Sequence, residues 1–516
     1  MLATALSATL IGLEAYPVRV EVAAVRGPPF FDLVGLAEAA VRESRVRVKS
    51  ALAQLGVHIG ETGIVVNLAP ADLKKTGSGF DLAIAAAVLC SLGEAPQAAL
   101  AGVLSVGELS LEGTVQPVRG VLALLLGARA RRVARAIVPR ANAAEAALVD
   151  GIEVRTVSAL GELVEALRGG PELPLAESPA PGASSGHACA DDLSEVRGQI
   201  TARRALEIAA AGNHNILMIG PPGAGKTMLA RRLPGLLPPL SNDEALDVTA
   251  IHSVAGLLSA ARGVSRTRPF RAPHHTVSEV GLVGGGEGPR PGEVTLAHHG
   301  VLFLDELAEF RRAALEALRQ PLEDGVVTVS RARAKVTFPA RALLACAMNP
   351  CTCGWLGDAS GRCTCSADRV RAYRAKVSGP LLDRIDVHVV LPPVEIAALQ
   401  GRAGGEASAA VRSRVAKARA IQRARAAGEV GATTNAALGP ADLEKVARLC
   451  SAGTAMLSSA VERLSLSARA YAKILRVART IADLDGSTAV KPVHGAEAIG
   501  LRVLDRGGLS LRGAAA

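Results

Sequence analysis

The residues with the plainest chemical potential form one octapeptide, Gly220-Pro221-Pro222-Gly223-Ala224-Gly225-Lys226-Thr227, which fits the phosphate-loop pattern G-x-x-x-x-G-K-(S/T). The apolar run from Asn215 to Ile219 in front of it reads as a short buried strand, and Met228 to Leu233 behind it as the start of a helix. Strand, glycine turn and helix together aim several backbone N–H groups and a helix N-terminus at a single anion. In that frame Lys226 reaches the β- and γ-phosphates of a nucleotide, and the Thr227 hydroxyl joins the shell of a Mg²⁺ ion. A second motif, Val301-Leu302-Phe303-Leu304-Asp305-Glu306, ends a four-residue apolar strand with two carboxylates. On a neighbouring strand Asp305 would hold Mg²⁺ through water, and Glu306 would polarise an attacking water as general base. The competing reading, two acids capping the next helix, loses ground in the company of the phosphate loop. A third apolar strand, Ala342 to Met348, delivers the amide of Asn349, a group able to orient the same water.

Other chemistry-bearing residues lie around these motifs. Cys351, Cys353, Cys363 and Cys365 form two C-x-C pairs nine residues apart. Such thiolates could bind Zn²⁺ tetrahedrally and staple a loop, but C-x-C is tighter than the usual C-x-x-C knuckle, so reduced thiols without metal are the alternative. The pairs His274/His275 and His298/His299 could suggest metal, yet solvated loop histidines are the commoner case. Lys226 and Asp305 are about eighty residues apart, more than a compact strand-helix-strand crossover needs. The excess includes Arg271-Ala272-Pro273-His274-His275-Thr276 and Gly281 to Gly286, a basic and glycine-rich insertion. Val326 to Ser330 and Lys335 to Phe338 flank Arg331-Ala332-Arg333-Ala334, a pattern that predicts a β-hairpin with a basic tip. Arg331, Arg333 and Lys335, with the Gly281 to Gly286 loop, are candidates to grip a phosphate backbone.

The whole chain sets limits on these readings. Its 516 residues predict roughly three domains. A net charge of +10 favours a polyanionic partner, whereas one Trp, three Tyr and seven Phe are too few for base stacking to be the main contact. No apolar run approaches the ~18 residues of a membrane span, and Met1 to Leu13 lacks the basic leader of a signal peptide. A cytoplasmic location and no membrane partner are therefore expected. Eight cysteines, four within fifteen residues, do not look like a secreted disulfide framework.

The elements that must position the motifs follow from periodicity. Val18, Val20 and Val22 alternate as in a half-buried strand, Phe30 to Leu36 and Gly63 to Leu68 are further strands, and Ala37 to Leu55 is a helix ended by Gly56. A loop from Lys74 to Gly79 leads to an apolar helix, Phe80 to Leu92. Val103 to Val106, Val121 to Ala134 and Ala136 to Val138 continue an α+β domain over residues 1–170. The Pro-rich stretch 171–190 reads as a linker. Residues 191–395 then hold the nucleotide-binding core, and 396–516 a helical C-terminal part. There, Val411, Val415 and Ala418 form a stripe ringed by Arg412, Arg414, Lys417, Arg419, Arg423 and Arg425, read as a solvated basic helix with DNA contact the minority alternative. Ser467-Ala468-Arg469-Ala470-Tyr471 opens a helix with Ile474, Val477, Ile481 and Leu484 at helical spacing.

Almost the whole chain resembles the ComM/YifB proteins, AAA+ ATPases similar to the magnesium-chelatase I subunit. The marks are Phe270-Arg271-Ala272-Pro273-His274-His275-Thr276, Asn349-Pro350-Cys351-Thr352-Cys353-Gly354 and Ser378 to Asp386. The resemblance implies an α/β fold: a Lon-protease-like N-terminal domain, an AAA+ core with an insert in helix 2 and a hairpin before sensor 1, and a C-terminal lid. In Lon-type proteases a serine and a lysine form the catalytic pair; the matching positions here look like Gly79, with Ser78 one residue away, and Leu122, and since no lysine stands near Leu122 to act as base, a non-proteolytic scaffold is expected. By the same resemblance Val196 and Gln199 pack against adenine, Asn349 is sensor 1 and Arg469 sensor 2. Arg384 would reach the γ-phosphate held by a neighbouring subunit, unless it forms a local ion pair with Asp383 or Asp386. A homo-hexamer using ATP and Mg²⁺ to drive DNA branch migration during natural transformation is implied. The rival readings are a metal-chelatase motor subunit and an ATP-dependent protease.

Overall fold

Inward-facing small and β-branched residues build the first sheet. The alternation at Val18, Val20 and Val22 runs along Glu14–Arg26, and the preceding apolar stretch is its antiparallel partner, Leu2–Ile11, which buries Ala3, Ala5, Ser7 and Thr9. In the computed structural model, which describes residues 1–177, 191–258, 266–286, 289–331, 334–358, 361–394, 405–428, 432–464 and 466–506, seven strands join in one sheet. Their order is Phe31–Val34, Thr62–Ala69, Glu14–Arg26, Leu2–Ile11, Val103–Ser105, Arg135–Pro139 and Glu153–Val157. The Asp81–Ser91 helix, buried on every side, lies against it; its run of alanines lets it approach the strands closely, and each of Leu82, Ile84 and Leu89 contributes about 1.5–3 kcal/mol of burial.

Three expectations change here. The helix expected to reach Ala134 is Val121–Ala130, and Arg132 turns the chain with φ +60°. Residues 171–177 of the expected linker pack on this unit: Leu173 is buried, Thr156 N donates to Pro174 O, and Ala176 N donates to Val154 O. The rest of that linker lies outside the described residues. Contacts also cross the expected linear order, gathering the chain into two units that place the Asn242–Ala255 helix with residues 1–177. A capping box at Ser241 starts that helix, and its Leu246 and Ala250 pack with Leu122 and Leu125. The supposed helix-2 excess is thus partly a piece of the first unit.

The second unit is built on a parallel sheet, ordered Phe270–Arg271, Val301–Leu304, Leu343–Met348, Ile216–Ile219 and Val387–Val390. Strands covered on both faces read as unbroken apolar runs, and the middle three are buried throughout. Asn215 ties the sheet together: its side chain accepts from Leu344 N and donates to Arg384 O, while its carbonyl receives Asp386 N and Val387 N. Helices Ile200–Gly212, Lys226–Leu236, Ser408–Gly428 and Ala468–Leu484 share one core with the sheet, so residues beyond 405 do not form a separate core.

The basic helix Ser408–Gly428 is only partly a solvated face: Arg412, Lys417 and Arg423 are exposed, and the other three are engaged. Arg414 pairs with Glu207 and Glu406, Arg419 donates to Ala210 O, and Arg425 pairs with Asp483, so its arginines bolt it to its neighbours. Beneath it runs a buried network. Asp386 accepts from His214 at 3.0 Å and faces Lys473 at 3.2 Å, and the other ring nitrogen of His214 meets Thr480 at 2.7 Å. Burial alone would raise the Asp386 pKa; the charge of Lys473 and the hydrogen bond with His214 more than offset it and hold the carboxylate ionised.

Candidate active site

The C-terminal ends of Ile216–Ile219, Val301–Leu304 and Leu343–Met348 lie side by side, so the phosphate loop, Asp305/Glu306 and Asn349 converge. The loop depends on Gly223 and Gly225, which take φ +79° and +87°, and no heavy atom lies within 4 Å of the place a Cβ would occupy on either. The result is an open cradle capped by the N-terminus of Lys226–Leu236. The Lys226 ammonium bonds to the carbonyls of Gly220 (2.8 Å) and Pro221 (3.0 Å) and to Asn349 Oδ1 (3.1 Å). Burial pushes its pKa down, and the charges of Asp305 and Glu306 push it back up. Thr227 Oγ1 donates to Asp305 Oδ2 at 2.6 Å, and the other oxygen of Asp305 accepts from Glu306 N at 2.9 Å.

These groups face a cleft of about 370 Å³ lined by Gly223, Gly225, Lys226, Thr227, Asp305 and Asn349 among others. A backbone cradle, a cation at its mouth and a hydroxyl-carboxylate pair suited to a hard divalent ion fit a nucleoside triphosphate with Mg²⁺.

Other expected residues fall elsewhere. Val196 is buried, and Gln199 takes φ +52° while its Nε2 donates to Ala224 O (3.2 Å) and Pro392 O (2.8 Å), bracing the phosphate loop from behind. Arg384 donates to Pro380 O at 2.7 Å and pairs with Glu323, neither Asp383 nor Asp386. Arg469 is largely exposed, 4.0 Å from Asp383. Neither arginine lines its own chain's cleft. Val326–Arg331 and Ala334–Pro339 form the expected hairpin, where Lys335 is exposed. Arg333 and the side chain of Arg331 lie outside the described residues. The Gly281 to Gly286 loop is part helix, Glu279–Val283, and part strand, Gly284–Gly285. Arg271 is committed to a two-pronged pair with Glu293 at 2.6 and 2.8 Å.

The reading of solvated loop histidines holds for His274, which is exposed, and is corrected for His275 and His298. His275 Nδ1 lies 3.1 Å from Glu306 Oε2, with its ring edge-on to Phe310, and His298 is buried with Nδ1 accepting from Arg341 N. His275 is therefore a site residue that sequence reasoning missed. Its only signal was the position just beyond Phe270–Arg271, the strand beside Val301–Leu304. The four cysteines do come together, with all four sulfurs within 4.8 Å of one another.

Comparisons with known proteins agree along the whole chain. The family described as magnesium chelatase, subunit ChlI, matches residues 192–399; subunit ChlI of Mg-chelatase matches 20–142, and the ChlI C-terminal family matches 405–502. An uncharacterised protein of Mycobacterium tuberculosis is 46% identical over 95% of this chain and 96% of its own. The competence protein ComM of Haemophilus influenzae is 42% identical over 98% of each chain. The uncharacterised protein YifB of Escherichia coli is 42% identical over 96% of each.

Proposed function

The chain belongs to the ComM/YifB family of magnesium-chelatase-like AAA+ ATPases, and from that premise we propose that it is an ATP-driven motor acting on DNA. In this reading it promotes branch migration when incoming single-stranded DNA recombines with the chromosome. The observation that carries the reading is end-to-end similarity to a relative named for competence, in a chain that keeps a complete set of hydrolytic groups at three adjacent strand ends.

Bound ATP supplies the phosphoanhydride, and Mg²⁺ supplies the charge that screens it. Lys226 exchanges its carbonyl contacts for phosphate oxygens, while Thr227 and Asp305 hold the ion. Glu306 takes the proton of the attacking water, and Asn349 orients that water. Val196 and Gln199 border the base. Arg384 and Arg469, which stand outside their own cleft, serve nucleotide sensing, with Arg384 completing the site of a neighbouring copy in a hexamer. The pairing of Arg384 with Glu323 is then its resting contact. Residues 1–170 act as a Lon-like scaffold without proteolysis, the C-terminal helices act as a lid, and the motor works in the cytoplasm. DNA is gripped by the hairpin residues Arg331, Arg333 and Lys335 with the Gly281 to Gly286 segment.

A metal-chelatase-type motor acting on another protein is the second reading, favoured by the magnesium-chelatase description of all three family matches. ATPase assays with and without single-stranded and branched DNA, beside Lys226→Ala, separate the two. Stimulation by DNA and unwinding of branched substrates are expected. A rate indifferent to DNA, together with no salt-dependent DNA affinity, would sink the DNA reading.

A further inference from the structure

Two residues beyond Asn349 the chain enters a tight group of thiols. Cys351 is fully buried; its Sγ lies 3.3 Å from that of Cys353 and 3.8 Å from that of Cys363, and Cys353 and Cys363 are 3.6 Å apart. Cys365 completes the group, every sulfur within 4.8 Å of the others. These separations are far beyond the ~2.05 Å of an S–S bond and close to the ~3.8 Å edge of a tetrahedron with sulfur ~2.3 Å from a central Zn²⁺.

The surroundings suit an anionic cluster. Arg374 donates to the carbonyl of Pro350, next to Cys351, at 3.5 Å, and its buried Nε–H has no acceptor among the described residues. A half-buried guanidinium with an unused buried donor favours negative charge nearby, and one Zn²⁺ held by four thiolates carries a net −2.

The same loop touches the nucleotide site. Gly354 takes φ +85°, and a Cβ there would lie 2.7 Å from Pro222 Cδ in the phosphate loop. The Asn349 side chain, two residues before Cys351, accepts from Lys226. The cysteine loop thus lies directly behind the two groups that meet the phosphates.

We infer that Cys351, Cys353, Cys363 and Cys365 bind one Zn²⁺ as a closed structural site, and that this staple fixes Asn349 and the phosphate loop. On binding, four S–H protons pass to solvent and four S–Zn bonds form without change of oxidation state. The inference is independent of the DNA reading; only its second half uses nucleotide binding.

The full-length protein, purified without chelator, is expected to hold one zinc per chain by elemental analysis. Exchange for Co²⁺ should give the intense thiolate-to-cobalt absorption of a tetrahedral sulfur site. Cys363→Ser/Cys365→Ser should lose the metal, whereas Cys365→His should keep it, since a Cys₃His set also closes a zinc site. Gly354→Ala leaves all four thiols in place but crowds Pro222, so it should retain zinc and weaken binding of a fluorescent ATP analogue about tenfold, as stripping the metal should. Metal-free protein with four freely titrating thiols and no cobalt spectrum overturns the site. Zinc that can be removed with no change in ATP-analogue affinity overturns the staple.

Discussion

Two polar clusters, one in each unit, use the same kinds of groups to opposite ends. In the first unit the Glu145 carboxylate accepts from Asn142 Nδ2 (2.5 Å), Ser253 Oγ (2.6 Å) and Leu122 N (3.4 Å), and Asn142, Ser253 and Glu145 are all buried. In the second unit Lys226, Thr227, Asp305 and Asn349 bond to one another just as fully, but beside an open cleft. A polar group satisfied and sealed off stabilises a fold. One satisfied beside open space can trade its partner for a ligand. The neighbourhood of Gly79 and Leu122 falls on the sealed side. A Cβ on Gly79 would sit 3.2 Å from Val106 and Val118, and Leu122 has no exposure, so apolar packing surrounds both positions.

The contrast breaks most visibly if substitutions in the open cluster unfold the protein or substitutions in the sealed one stop turnover. Glu306→Gln is expected to lower ATP turnover by about 10²–10⁴-fold while leaving the urea midpoint and ATP-analogue affinity near wild type. Lys226→Ala should lose that affinity as well, because it removes the cation at the mouth of the cradle. If Glu306→Gln keeps more than a tenth of the wild-type rate in steady-state assays, Glu306 is not the base.

Glu145→Ala should do the reverse. It strands three buried donors, a loss of about 1–3 kcal/mol in unfolding free energy by urea titration, with ATPase activity per folded molecule unchanged. A subtler probe uses pH. Burial pushes the Glu145 pKa up, and its three hydrogen bonds pull it back only in part. A carboxyl raised on folding binds its proton more tightly in the native state. Its contribution is therefore complete below the unfolded value of about 4.3, and is lost as pH rises through the raised folded value. The slope cannot exceed about 1.4 kcal/mol per pH unit for one proton. Glu145→Gln, which mimics the protonated side chain, should flatten the urea midpoint across that window; an unchanged profile would assign the slope to other groups.

How much of this was legible depended on how local each cause is. The phosphate loop, the acidic motif and Asn349 could be read because each is a short apolar strand plus the residues directly after it. Leu2–Ile11 was missed because its inward face is Ala3, Ala5, Ser7 and Thr9, residues too small and polar to signal a strand. The Asn242–Ala255 helix carried its own cap in sequence, but its placement with residues 1–177 is decided by Leu246 and Ala250 meeting Leu122 and Leu125, more than a hundred positions away. The arginines of Ser408–Gly428 looked solvated for the same reason, since their acceptors Glu207, Ala210 and Asp483 are remote in sequence.

His275 is the sharpest case, because it belongs to the open cluster yet is held by a contact across thirty-one positions. Its ring nitrogen fixes one oxygen of Glu306, while Phe310 against its edge limits how the ring can turn. A polar contact of this kind is worth up to about 1 kcal/mol, so His275→Ala should lower kcat by at most about fivefold. KM for ATP should stay fixed, because His275 meets neither the phosphate loop nor Lys226. His275→Asn, which keeps a donor near the same place, should recover part of the rate. A fall in ATP affinity with kcat intact would move His275 from positioning the base to shaping the binding cleft, and a drop in the urea midpoint with normal kinetics would move it to the sealed class.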